Sequence, residues 1–360
     1  MTVDVRPQAR FVDPGAEPFV MEEQFWTPLV ITRRELDEEI AKLAEAAVAP
    51  DDRRRLIVHP RSTSPGFGLT PGIQVTLEVL RPGERTAPRR HSSSGISFCI
   101  AGTGEALVGG RRVPFARYDT WTIPAFTTHV HVNTGDDVQV RLTYSNASLL
   151  EKLGVHWVDP SPPEAEGGVG EASPAERTAP TVRALGDGAY LMGYEDLINP
   201  PVVEQPPLHW SWEAVKSELD TLAGIDGTYD GRRLFLLYNP ATGRTNGTTP
   251  ALFATLTIRP PEIVDRPHRH AAAAINYFFQ GSGWSRIGGR RYEWEAGDLV
   301  FTAPGWMVHN HASGPDPVYE ITIQDFPFHL AMDSLMWQED LKRPPRLLGS
   351  HSGFHTNRTA

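Results

Sequence analysis

The sequence predicts an all-β protein of two tandem barrels with short flanking helices. Three observations predict it. Short runs of β-branched and aromatic residues, separated by Gly and Pro clusters, extend from Arg55 to about Tyr144 and resume after Arg232. That is the texture of antiparallel strands joined by tight turns. The second stretch repeats the first. Between the copies lies a segment with almost no large apolar residues.

Taken in order, Met1 to Pro28 is expected to be irregular, because Pro7, Pro14, Pro18 and Pro28 each break a helix. Thr32 followed by Glu35 has capping-box spacing, and Leu36, Ile40, Leu43 and Ala47 recur at helical period, so an amphipathic helix is expected from Arg33. Leu56–Val58 and Ile73–Val79 read as strands, and Leu149–Leu153 as a short closing helix. Residues 158–183 combine Pro, Gly, Glu, Ala and Ser, which cannot bury enough surface to offset ordering, and form the expected linker. The domain reading is therefore a first unit over 1–157, the linker, a second unit over 184–345 and a tail over 346–360. Trp210-Ser211-Trp212 precedes a helical stretch, Ala214–Leu222, much as Phe25-Trp26 precedes the first helix.

The repeat is direct. Arg54-Arg55-Leu56 parallels Arg232-Arg233-Leu234, and Pro88-Arg89-Arg90-His91 parallels Pro267-His268-Arg269-His270. Gly102-Thr103-Gly104 matches Gly281-Ser282-Gly283, and His129-Val130-His131 matches His309-Asn310-His311. All pairs are 178 to 180 residues apart, so only small gaps separate two copies of one unit.

The second copy carries a metal-site pattern. Alternation along a strand puts His268 and His270 on one side, with Arg269 facing away. His309 follows 39 residues after His270, just past Pro304-Gly305. Three neutral imidazoles form a facial site for a divalent first-row metal. No carboxylate follows the His-x-His, where Ala271–Ala274, Ile275 and Asn276 stand. A neutral three-histidine site leaves room for a bidentate substrate and dioxygen. Redox chemistry of that kind suits Fe(II) better than Zn(II), although Mn, Ni, Cu and Zn also accept three imidazoles. Strand parity adds Ala272, Ala274, Asn276 and Phe278 to the inward face, with Asn276 a candidate substrate donor. His311 reads either as a catalytic acid or base or as a hydrogen-bonded core histidine. Arg286 is a candidate clamp for a substrate carboxylate, against the alternative of a solvated arginine. Gln324 and Asp325 are candidates for substrate binding and catalysis, and Asp325 has the second reading of a turn cap.

The first copy departs from this pattern. Arg89 occupies the position of His268, and a guanidinium, always protonated and offering only donors, cannot ligate a metal. His91 and His129 remain, and His131 could replace the missing ligand only with shifted geometry. The first site is expected to hold no metal.

Each half resembles a cupin, a double-stranded β-helix or jelly-roll barrel. The whole chain resembles the bicupin family of gentisate 1,2-dioxygenase and its salicylate and hydroxynaphthoate relatives. The likeness is strongest from Arg232 to Glu339, through Pro267–His270, Gly281-Ser282-Gly283, Tyr292-Glu293-Trp294, Gly297-Asp298, His309–His311 and Asp325-Phe326-Pro327. The resemblance implies Fe(II) held by three histidines, ring cleavage with dioxygen, a small aromatic substrate and a homo-oligomer, a tetramer or a dimer. In that family the first barrel commonly carries the iron, so Arg89 marks a departure.

Bulk properties bound the alternatives. A net charge of -10 argues against nucleic acid as a partner. No apolar run approaches the ~20 residues that span a bilayer, so no membrane is expected. The single Cys99 excludes an internal disulfide and fits a reducing, cytoplasmic setting. Two competing readings are a cupin tailoring enzyme, oxygenase or isomerase, on another small molecule, and a non-catalytic small-molecule-binding bicupin.

Overall fold

The computed structural model describes residues 9–13, 15–16, 18–164, 182–186, 188–193, 203–224 and 231–350. The linker expected over 158–183 lies mostly outside these residues, as does 351–360 of the tail. The described part is built from two antiparallel barrels, as the period-2 runs predict.

The first barrel sets a six-stranded sheet against a three-stranded one. The large sheet runs in the order His209–Trp210, Thr120–Ile123, Gly95–Ala101, Gln139–Ser145, Gln74–Leu80, Arg54–Ile57. The small sheet runs Arg111–Phe115, Gly104–Val108, His129–Val132. The second barrel repeats this with Leu29–Ile31, Leu299–Ala303, Ala274–Gln280, Val318–Gln324, Phe253–Arg259 and Arg233–Leu236, faced by Arg290–Glu295, Ser282–Ile287 and His309–Ser313. Among the described residues, a further small sheet, Arg269–His270, Met336–Gln338 and Arg346–Leu347, lies only in the second half.

The edge strands are exchanged. Leu29–Ile31 precedes the first barrel in sequence but pairs with Leu299–Ala303 of the second, and His209–Trp210 pairs with Thr120–Ile123 of the first. The helices after these strands are held in the same reciprocal way. Thr32 and Glu35 close the expected capping box of helix Arg33–Glu45, and Asp298 of the second barrel accepts from Arg33 N at 2.6 Å. Asp119, in the matching turn of the first barrel, accepts from Trp212 N at 2.7 Å, at the start of helix Trp212–Ala223. A carboxylate here satisfies an orphan N–H and favours the positive end of the helix dipole. The opening segment is not wholly irregular: Met21–Gln24 makes one helical turn before the exchanged strand. The closing helix read at Leu149–Leu153 spans Ala147–Lys152.

The main core lies between the barrels rather than inside them. Ile96, Phe98, Leu142 and Tyr144 from one sheet meet Ile275, Tyr277, Phe279, Ile321 and Ile323 from the other, with Leu36, Leu43 and Leu219 of the two helices. The opposite strand faces point into the barrels. Each interior is plugged by an aromatic stack, Phe115 on Trp121 at 4.2 Å in the first and Phe278 on Trp294 at 3.6 Å in the second. The Gly-x-Gly turns have a steric cause. Gly102 and Gly281 take φ of 76° and 77°, and a Cβ would come within 2.8 Å of Val138 O and 2.6 Å of Pro317 O respectively. Among the described residues, no helix is long and apolar enough to cross a membrane.

Candidate metal centre

His268 and His309 face each other across an isolated antiparallel bridge, with reciprocal backbone bonds of 3.0 and 2.9 Å. Two residues on, His270 pairs with Trp337 in the small sheet. Strand alternation then brings the three imidazoles to one place, with ring centroids 4.5 Å (His268–His309), 4.8 Å (His270–His309) and 5.8 Å (His268–His270) apart. One ligand nitrogen from each lies within 4.8 Å of the others, and all three side chains are buried.

Every Nδ1 is already committed. His268 Nδ1 donates to Arg266 O at 2.9 Å, His270 Nδ1 to Ala272 O at 2.8 Å and His309 Nδ1 to Met307 O at 3.0 Å. Each carbonyl fixes the tautomer with a bare Nε2. Burial pushes all three pKa values down, that of His270 to about 3, with neighbouring positive charge adding to the effect. The rings are therefore neutral, the state a metal needs. His268 Nε2 is buried without a hydrogen-bond partner. An orphaned acceptor among converging bare nitrogens fits a divalent cation, and no other element of the site supplies a proton to it.

Trp337 was not legible as a site residue, since a lone tryptophan near a chain end carries no motif. Its indole stacks on His270 at 4.6 Å and on His268 at 5.8 Å, and its Nε1 donates to Glu339 at 2.9 Å. It is the flat wall that sets both ring planes. Arg232 was likewise missed. Its guanidinium donates to Asp265 at 2.6 Å and lies close enough to His268, His270 and His311 to lower their basicity. Asp265, held well below the usual carboxylate range chiefly by Arg232 and then Arg259 despite its burial, anchors that cation.

The other expected residues separate. His311 lies in the same barrel interior, its ring 5.8 Å from that of His309, and its Nδ1 shares a 2.7 Å hydrogen bond with Ser285 Oγ. Gln324 is buried on the inward face of its strand with Oε1 unpartnered. Asn276 also faces inward, but its amide is spent. Nδ2 donates to Thr322 at 2.8 Å and Oδ1 accepts from Thr302 at 2.6 Å, so it ties strands together.

Two expectations are corrected. Arg286 is exposed beside Trp284, on the face of its strand opposite to buried Ser285, and cannot clamp a substrate at the triad. Asp325 lies just past the strand Val318–Gln324, as the N-cap of helix Phe326–Ala331, and its Oδ1 accepts from Ala273 N at 2.8 Å. In the first barrel Asn146 accepts from Ser94 N at 3.0 Å by the same contact. A role duplicated where the triad is incomplete is an anchor for the loop after the histidines, not a catalytic one.

At the first site Arg89 makes the His268 bridge again, with backbone bonds to His129 of 3.0 and 2.9 Å. Its guanidinium turns to Glu78 at 2.9 Å and Asp51 at 2.8 Å. His91 and His129 keep the ligand geometry, ring centroids 5.1 Å apart. Among the described residues, only His268, His270 and His309 form a group able to hold a metal. One pairing of the repeat shifts. Arg54 lies opposite Glu78 in its ladder, as Leu234 lies opposite Thr257, so Arg54 corresponds to Leu234 and not to Arg232.

Comparison with known proteins agrees with this architecture. Residues 76–145 match the Cupin domain model, and residues 252–353 match the AraC-like ligand binding domain model. A 1-hydroxy-2-naphthoate 1,2-dioxygenase from a Nocardioides strain is 29% identical over 79% of this chain and 72% of its own length. A Haloferax gentisate 1,2-dioxygenase is 28% identical over 74% of each chain. The chain belongs to the bicupin gentisate dioxygenase-like family. Among solved structures, the salicylate 1,2-dioxygenase of Pseudaminobacter salicylatoxidans covers 87% of this bicupin with a TM-score of 0.69 at 19% identity, a likeness of fold. In this bicupin the complete histidine triad belongs to the second barrel, and the first barrel has arginine where the triad would begin.

Proposed function

We propose that the protein is a non-haem, metal-dependent dioxygenase that cleaves the ring of a hydroxylated aromatic acid, with Fe(II) held by His268, His270 and His309. The observation that carries this reading is the convergence of three neutral, buried imidazoles whose bare Nε2 atoms have no protein partner suited to them. Iron bound there would supply the redox chemistry that lets dioxygen react with an aromatic ring.

The chain's own residues do the rest. Backbone carbonyls and Trp337 hold the rings in orientation before any ligand arrives. Arg232, fixed by Asp265, presents a cation beside the triad and replaces Arg286 as the group that orients a substrate carboxylate. Gln324 Oε1 accepts from a substrate hydroxyl. His311, kept neutral by burial and then by Arg259, is held in orientation beside the triad by its hydrogen bond with Ser285 Oγ, which in turn accepts from Trp294 Nε1. A cytoplasmic location and a homo-oligomer complete the proposal. They draw on the single cysteine and on the family.

Elemental analysis of the purified protein, with oxygen uptake on gentisate, salicylate and 1-hydroxy-2-naphthoate, tests this reading. One iron per chain and uptake with at least one acid are expected. Uptake with none of them, at full iron loading, would refute the substrate class.

A further inference from the structure

We propose that a cleft at the seam of the two barrels, outside both interiors, is a binding site for a single-ring aromatic carboxylate. It lies between the first turns of helix Arg33–Glu45 and the turns at Arg117-Tyr118 and Ala296-Gly297, and its volume is about 170 Å³. An apolar cavity of about 150 Å³ is enough to take benzene, so the space suits one six-membered ring. Its floor is aromatic. Tyr118 and Phe279 lie 4.5 Å apart with rings tilted by 31°, and Tyr277 and Ile100 complete the wall.

The repeat shows what the space accepts. Arg33 and Trp212 hold the same place: each follows an N-cap, Thr32 or Ser211, and gives its backbone N–H to Asp298 or Asp119. The Trp212 indole packs on Phe279 at 5.0 Å and on Tyr118 at 6.2 Å. At the matching helix the Arg33 stem lies on Gly297, where a Cβ would come within 2.6 Å of its Cγ, and its head turns out to Asp37 at 3.3 Å. Arginine leaves open, beside the same aromatic pair, the kind of room that tryptophan fills.

The charge at the rim is unbalanced in one direction. Asp37 is the one acid of the lining, and it pairs with Arg33. Arg117 gives its Nε–H to Ile100 O at 3.1 Å and holds its guanidinium 4.6 Å over the Tyr118 ring. Among the described residues no carboxylate pairs with it. The Tyr277 hydroxyl has no hydrogen-bond partner among these residues, and burial pushes it up, so it is a neutral donor. A carboxylate that meets Arg117 while its ring covers Tyr118 and Phe279 pairs the free cation and shields the apolar wall from water. A small inorganic anion would use only the first of these. The assignment stands whether or not the second barrel holds a redox metal.

The test is calorimetric titration with benzoate of the full chain carrying both His268→Ala and His270→Ala, treated with chelator, so that metal-dependent binding is removed. A site is expected that Arg33→Trp abolishes, because the indole copies the Trp212 arrangement and occupies the cleft. Arg117→Gln, at an exposed side chain, should weaken benzoate about tenfold, as loss of a charge-assisted contact should, with the aromatic wall intact. Benzyl alcohol, the same ring without the charge, should bind more weakly by a similar factor. Benzoate binding that survives both variants unchanged belongs to a barrel interior and overturns the proposal. No heat with benzoate at millimolar concentration overturns it too, as does equal affinity for benzyl alcohol or for inorganic phosphate. Should Arg33→Trp not fold, Arg117→Gln alone decides the outcome. Failure of the dioxygenase reading would show separately, as absent turnover by the unmodified enzyme.

Discussion

The two barrels place the same backbone under different side chains. His268 and Arg89 make the same bridge, to His309 and to His129, with the same pair of hydrogen bonds. His270 pairs with Trp337 where His91 pairs with Val158. Asp325 and Asn146 anchor the same loop. A few side chains therefore separate a triad that can hold a metal from a pair of imidazoles that cannot. The barrel is a frame that tolerates either outcome. What changes the chemistry is the charge placed at one bridge position and the wall placed beside it.

The sharpest way to break the comparison is to remove one ligand from each barrel. His268→Ala should abolish metal binding and lower turnover at least about a hundredfold. His91→Ala should leave the metal content at the unmodified level by elemental analysis. Equal losses would show that the barrels share one site.

Arg89→His asks whether the difference lies in that residue. Metal content is expected to rise from one towards two per chain. The change also leaves Asp51 with only the Ala87 N–H and Glu78 with Arg141 and Thr143 only. Stability should fall by about 2 kcal/mol in urea unfolding at neutral pH, below the cost of stripping a fully buried ion of all partners.

Acid should affect both barrels alike. Burial lowers His129 and His270 to about 3 and depresses His131, His309 and His311 as well. Such groups bind protons only when the chain unfolds, so their contribution is complete above the unfolded value of about 6.5 and is lost as pH falls towards 3. Glu78 and Asp265, held low by arginines, lose their contribution over the acidic end of the same window. Urea midpoints measured downward from pH 7 should fall with an uptake of more than one proton, with the metal-free protein sharing the direction.

Trp337→Leu removes the wall that the first barrel lacks. Metal affinity should drop about tenfold with the site retained, read by competition with a chelator. The smallest effect is expected from Asp325→Ala, about 1–2 kcal/mol of stability, matched by Asn146→Ala, with activity per folded molecule preserved. A larger loss of turnover from Asp325→Ala would restore its catalytic reading.

Much of the site was legible because alternation is a local property. His268 and His270 had to share a face, and the repeat marked His309 as their partner and Arg89 as the defect. Legibility ended where a residue acts across space. Parity placed Asn276 on the correct face but could not show that Thr302 and Thr322 consume its amide. Arg286 lay on the correct strand, one residue away from the inward position held by Ser285. Arg232 and Trp337 carry no local pattern, and only packing brings them to the histidines.

By itself the sequence determined the two β units, the capped helix at Thr32 and the three imidazoles of one site, because period, capping and duplication are written in neighbouring residues. Tertiary structure alone decided the exchange of edge strands between barrels, the reciprocal capping by Asp119 and Asp298, and the use made of each buried polar group. Those depend on which donor meets which acceptor once distant strands close into a barrel, and chain spacing does not encode that meeting.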